Sequence, residues 1–339
     1  MRRKAVTCLT KRSTRRFCSS PAHFRSLSQV ETIPGPIDTI DINEFRKKAF
    51  TPETPLLIKR ESSGGFPAAL SPSSSIPAAV KWFTFEDFDN ANESSNPQQT
   101  LVPSQYLHTF QDTILPYELT YDLAEDPTKP HGQAGGSKDL KGMLSQLLQN
   151  PSAGSFHRFN APLSLFLQAC RTNAGASPLL RLYIAQAQIT DLPKQLQEDL
   201  PTPRLVREAG KGDIYDANIW IGIPPTYTPL HRDPNPNLFV QLASSKQVRL
   251  YRPSVGAGIF RHVQRSIGQS GQTNLRGEEM MEGPERDALD EAVWGDSAIQ
   301  DGFEAIVNPD EALFIPKGWW HSIKSIGTDV TASVNWWFR

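Results

Sequence analysis

From residue 179 to the C-terminus the chain is a succession of short alternating segments, and nothing else constrains its fold as strongly. Residues 182–189, 217–223, 238–242, 248–251, 312–315 and 330–337 each place apolar side chains at every second position. That period, bounded by Gly, Pro, Asn and Asp, is the pattern of short strands with one face in a core. Upstream the periodicity differs. Residues 139–148 space Leu140, Met143, Leu144, Leu147 and Leu148 as an amphipathic helix stopped by Pro151. Residues 162–171 predict a second helix that buries Leu163, Leu165, Phe166 and Cys170. Helices followed by many short strands predict a mainly β protein, a barrel or jelly roll with a helical N-terminal part.

The remaining N-terminal segments are short. Residues 37–45 read as a strand entering a helical turn, 55–59 as a strand, and 80–85 as apolar and aromatic. Residues 62–79 and 126–137 read as loops, rich in Ser, Pro, Gly and Ala in the first case. Residues 254–305 read as a long polar insertion between strand groups, either a functional lid or unstructured. No internal repeat is visible, and one globular domain is expected.

Composition removes several classes. With 339 residues, 38% hydrophobic, the chain can bury a sizeable core. No apolar run approaches the roughly 18 to 20 residues of a membrane helix. Three cysteines, Cys8, Cys18 and Cys170, make no disulfide framework. Charge is distributed unevenly. Residues 1–30 hold Arg2, Arg3, Lys4, Lys11, Arg12, Arg15, Arg16 and Arg25 and no acidic residue. A basic, Ser- and Thr-rich, acid-free stretch predicts a mitochondrial transit peptide, with a nuclear signal or a plain basic tail as the alternatives. Arg15-Arg-Phe-Cys-Ser19 fits a matrix-protease cleavage site. Removing these 8 of the 35 basic residues leaves 27 against 36 acidic ones, a net charge of −9. A body that acidic is a poor partner for nucleic acid.

The chemistry is concentrated in Thr226-Tyr-Thr-Pro-Leu-His-Arg-Asp233. In an extended strand His231 and Asp233 point to one face. One imidazole and one carboxylate aimed together form two-thirds of a facial triad for Fe(II), which leaves positions for substrate and oxygen. His321, in Gly318-Trp-Trp-His321, is the natural third ligand. Pro229 holds Thr228 extended, and Lys246 follows where a cationic head can enter the same barrel mouth. His108, His131, His157 and His262 lack suitably spaced partners.

Thr228-Pro-Leu-His-Arg-Asp233, Asn237, Lys246, Phe314-Ile-Pro-Lys-Gly-Trp-Trp-His321 and Ser333-Val-Asn-Trp-Trp337 resemble the JmjC proteins, in their small hydroxylase-like branch. The resemblance runs from about residue 181 to the C-terminus and more weakly from about 37. It implies a double-stranded β-helix (cupin or jelly-roll) core with N-terminal helices packed on it. By this reading 1–30 is the tail, 31–180 the N-terminal part, and 181–339 the barrel. The resemblance also implies Fe(II), with 2-oxoglutarate and O2 as cosubstrates. His231, Asp233 and His321 become the iron ligands, with no further catalytic side chain. Thr228, Lys246 and Tyr183 take the distal carboxylate of 2-oxoglutarate. Asn237 and Asn335 line the metal and cosubstrate pocket, and Trp220 forms an apolar wall. The implied activity is hydroxylation of a side chain on a protein or peptide. The alternatives are lysine demethylation or hydroxylation of an RNA nucleoside by the same chemistry, and a non-catalytic metal-binding cupin acting as an interaction module. No membrane partner is expected, and the oligomeric state is open.

Overall fold

The structure is a computed structural model that describes residues 27–60, 74–88, 98–120, 156–172, 181–268 and 281–339. The helix expected at 139–148, the loop at 126–137 and nearly all of the basic tail lie outside these residues. Strands β1 (Ser28–Gln29), β2 (Glu31–Pro34) and β3 (Leu56–Lys59) open the described chain, with helix α1 (Ile42–Phe45) between the last two. Helix α2 (Ala78–Lys81) leads to the antiparallel pair β4 (Phe83–Phe88) and β5 (Gln98–Pro103). Then come α3 (Gln105–His108), β6 (Ile114–Thr120), β7 (Phe156–Pro162) and α4 (Leu163–Thr172).

The barrel uses β8 (Arg181–Gln188), β9 (Ile214–Gly222), β10 (Tyr227–Arg232), β11 (Asn237–Ala243) and β12 (Ser245–Tyr251). Short helices α5 (Lys194–Glu198) and α6 (Arg204–Glu208) separate the first two of these strands. Helices α7 (Pro253–Ser266) and α8 (Gly283–Trp294) follow β12. The chain returns through β13 (Phe303–Val307), β14 (Ala312–Ile315), β15 (Trp320–Ile326) and β16 (Thr331–Phe338).

Beside the two-stranded β4-β5 sheet, two larger sheets form, in the orders β1-β13-β12-β15-β10 and β2-β3-β14-β11-β16-β9-β8-β6-β7. Their centres, β13-β12-β15-β10 and β14-β11-β16-β9, are the two halves of a double-stranded β-helix, and the N-terminal strands lengthen both. Alternation along each strand sorts the apolar side chains into three cores. Between the sheets lie Phe239, Val248, Leu250, Val307, Leu313 and Ile315. On the outer face of the large sheet, Leu238, Val240, Phe314, Val334 and Trp336 pack on the N-terminal helices. On the outer face of the small sheet, Leu230, Tyr251 and Trp320 pack on Ile259, Phe260, Val263, Leu289 and Val293. Strand β11 is buried along its whole length. A strand covered on both faces reads as a continuous apolar run, not as a clean alternation.

Two expectations are corrected. Residues 37–45 hold no strand: Ile37–Thr39 is a 3-10 turn and Ile42–Phe45 a helix capped by the Asp41 carboxylate. Ile37, Ile40, Ile42 and Phe45 are all buried, and a spacing of two and three residues suits a turn and a helix better than a strand. The stretch 254–305 is not unstructured where it is described. It holds α7, α8 and most of β13. Its polar composition belongs to the outer faces, while Ile259, Phe260, Val263, Leu289 and Val293 form a stripe at helical spacing that seats the pair on the sheet.

Candidate active site

The β9–β10 connection brings the chain into the small sheet at its edge, where β10 pairs antiparallel with β15. His231 lies directly opposite His321, and Thr228 opposite Ile323. Between these pairs two residues on β10, Pro229 and Leu230, therefore face one on β15, Ser322, which is a bulge of one residue. Residues directly opposite one another share a face. Thr228 and His231 thus both face the interior, although an odd spacing would normally separate them. After β10 the chain turns at Asp233-Pro-Asn-Pro236. The Gly318 N–H donates to the Asp233 carbonyl at 2.9 Å, tying this turn to the one that precedes His321.

His231, Asp233 and His321 form a cluster whose ligand atoms lie within 4.8 Å of one another. The Asp233 carboxylate is 3.9 Å from His231 Nε2 and 3.7 Å from His321 Nε2. Both gaps exceed hydrogen-bond range, and a single ion about 2.1 Å from each atom can span them. The other ring nitrogens fix the tautomers. His231 Nδ1 donates to the Pro229 carbonyl at 2.8 Å and His321 Nδ1 to the Trp319 carbonyl at 3.1 Å. Each Nε2 is then left with its lone pair for a metal. Burial, reinforced by the facing His231 ring and opposed by Asp233, holds the His321 pKa down to about 4. His321 is therefore neutral near pH 7, as a ligand must be.

The carboxylate is oriented from behind. Asp233 Oδ2 accepts from Trp337 Nε1 at 2.8 Å and from Asn237 Nδ2 at 3.3 Å. Asn237 Oδ1 accepts in turn from Asn335 Nδ2 at 3.1 Å. Asn237 and Asn335 thus stand beside the His-Asp-His cluster. Their amides form a hydrogen-bonded chain that ends on the Asp233 carboxylate.

Lys246 enters the interior from β12 and is only 2% exposed. Its Nζ donates to Ser333 Oγ at 2.9 Å and to the Tyr183 hydroxyl at 3.3 Å, and no carboxylate pairs with it among the described residues. Burial alone lowers its pKa to about 7. A buried cation facing only hydroxyls and rings carries an unmet electrostatic demand, and an entering anion satisfies it. The Tyr183 ring lies 5.8 Å from that of Trp220. Trp220 Nε1 and Asn335 Oδ1 are buried without a hydrogen-bond partner. Trp220 is accordingly both an apolar wall and an unused donor. These features fit a small dianion held between Lys246 and a metal.

Sequence reasoning missed Ser333 and Trp337. The signal was present: Asn335 faces the site, so residues 333 and 337 of the same strand face it as well. Trp336, between them, belongs to the outer core.

The fold and this cluster define a class, and comparison with known proteins agrees. The cupin-like domain model matches residues 121–339, and the chain belongs to that family. It is 29% identical over 174 residues to the lysine-specific demethylase JMJ30 of Arabidopsis thaliana, an alignment covering 51% of this chain and 37% of that protein. Lysine-specific demethylase 8 of Danio rerio is 28% identical over 158 residues, 46% of this chain and 36% of the relative. A longer alignment, to the demethylase JMJ31 of Arabidopsis thaliana, is 23% identical over 302 residues, 78% of this chain and 51% of the relative. The chain thus spans between about a third and a half of the length of these relatives.

Proposed function

We propose that the chain is an Fe(II)- and 2-oxoglutarate-dependent dioxygenase that hydroxylates a side chain on a protein. The observation that carries this reading is the pairing of a His-Asp-His cluster with a buried lysine that has no carboxylate partner among the described residues, both facing one barrel interior. His231, Asp233 and His321 hold the metal on one side. Lys246 neutralises the distal carboxylate of the cosubstrate, with Tyr183 and Ser333 fixing its ammonium and Thr228 supplying a hydroxyl on the same face. Bound iron, with 2-oxoglutarate and O2, supplies an oxidant strong enough for a C–H bond, and the cosubstrate leaves as succinate and CO2. The apolar walls, Phe239 and Trp220 among them, keep water from that oxidant.

The names of the relatives favour a second reading, in which the C–H bond belongs to an N-methyl group of lysine. Hydroxylation there releases formaldehyde, so the two readings share every step up to the product. The test is succinate formation in air with candidate peptides, followed by mass analysis. A gain of one oxygen supports hydroxylation, and a loss of CH2 with formaldehyde supports demethylation. Binding of neither metal nor 2-oxoglutarate by the wild-type chain removes both. A mitochondrial address is a companion proposal resting on residues 1–30. Fused to a reporter they should carry it to mitochondria, and a nuclear or diffuse signal contradicts this.

A further inference from the structure

We propose that Trp294 and Ser322, neither of which touches metal or cosubstrate, are positioning residues that hold the β10 bulge and so decide whether Thr228 faces the cosubstrate. The inference rests on the dioxygenase reading above, because it assigns Thr228 to the carboxylate of 2-oxoglutarate.

Ser322 is wholly buried on the outer side of β15, one residue from His321. Its hydroxyl accepts from Trp294 Nε1 at 2.8 Å and donates to the Thr228 carbonyl at 2.8 Å. Thr228 is the residue at which the β10–β15 register shifts. A bulge interrupts the ladder, and this one contains Pro229, which has no N–H to contribute. A side-chain hydroxyl therefore meets the carbonyl at the shift. The consequence is large for so small a contact. Slipping a strand by one residue reverses the face of every side chain, so losing the bulge while His231 stays in place turns Thr228 out of the interior.

Trp294 is itself held firmly. The Arg249 guanidinium lies 4.5 Å from its ring centroid and Lys324 Nζ lies 5.1 Å away. Lys324 pairs with Asp290 at 2.6 Å, and Arg249, directly opposite Ser322 on β12, also donates to the Val293 carbonyl. Leu289 and Val293 bury the same helix against Leu230, Tyr251 and Trp320. The stretch that reads as a polar insertion thus reaches the active-site face through two hydrogen bonds.

The test compares the full chain with Ser322→Ala, Trp294→Phe and Leu289→Ala. It measures Mn(II) affinity, 2-oxoglutarate affinity of the Mn(II)-loaded protein, and Tm. Ser322→Ala should weaken 2-oxoglutarate about tenfold and Trp294→Phe about threefold to fivefold, the scale of one or two buried hydrogen bonds, with Mn(II) affinity held within about threefold. Leu289→Ala, which only loosens helix packing, should lower Tm and leave the ratio of the two affinities unchanged. Wild-type 2-oxoglutarate affinity in Ser322→Ala overturns the proposal. So does a parallel loss of both ligands in step with Tm, because that is what a purely structural role gives. A wild-type chain that binds neither ligand overturns the dioxygenase reading, and this inference with it.

Discussion

At the scale of single residues, one side chain carries a burial cost that an anionic ligand would offset, and another steadies a candidate metal ligand. Lys246 is buried with its pKa lowered to about 7 by desolvation alone. The unfolded chain therefore binds more protons than the folded one from about pH 7 up to the ordinary lysine value. Stability of the ligand-free protein should rise with pH across that window, and the burial cost is full below it. Lys246→Met should raise the Tm of the ligand-free protein and abolish 2-oxoglutarate binding, by thermal melts and calorimetry respectively. An arriving carboxylate reverses the shift. Binding at pH 8 should take up nearly one proton, read from calorimetry in buffers of different ionisation heat, and affinity should fall as pH rises further. Trp337 acts on the metal instead, through its bond to Asp233 Oδ2. Trp337→Phe should weaken metal binding by about ten- to a hundredfold, the usual effect of losing a partner of a ligating carboxylate. Competition with a metal-sensitive dye measures it.

At the scale of elements, close approach between strands shapes the cosubstrate pocket. A Cβ on Gly222 would sit 2.3 Å from Tyr183 Cδ2 and 2.7 Å from Thr226 Cγ2. Gly222→Ala should displace the Tyr183 ring and weaken 2-oxoglutarate by about tenfold while metal affinity holds, and titration of the metal-loaded variant checks it. Legibility in the sequence also divides by element. Residues 217–223 and 330–337 announce themselves as strands because apolar residues recur at every second position, and His231, Asp233 and Lys246 stand out because charged or ligating groups among apolar neighbours have few bland explanations. The helices after β12 were hidden because their apolar stripe is narrow and stands among glycines and polar or charged residues. The bulge was hidden for a different reason. Whether Thr228 and His231 share a face depends on pairing with β15, about 90 residues away, and no local pattern in β10 records it. Ser333 and Trp337 were legible in principle, since alternation through Asn335 assigns both to the interior.

At the scale of the whole molecule, the two sheets divide the labour. The small sheet brings His231, His321, Thr228 and Lys246, while the large sheet brings Tyr183, Trp220, Asn237, Ser333 and Asn335. The candidate metal ligands sit on and beside an edge strand and Lys246 lies within the barrel, so on the proposed reading the barrel itself would orient one molecule of 2-oxoglutarate between them. The insertion helices brace the small sheet from outside, and the N-terminal helices cover the large one. On the proposed reading, metal and Lys246 grip the two ends of one cosubstrate. Anaerobic titration of 2-oxoglutarate into the Mn(II)-loaded protein, its metal-free form and Lys246→Met tests it most directly. Tight binding to the first alone is the predicted result. Equal binding to all three, or none to the metal-loaded wild type, contradicts it.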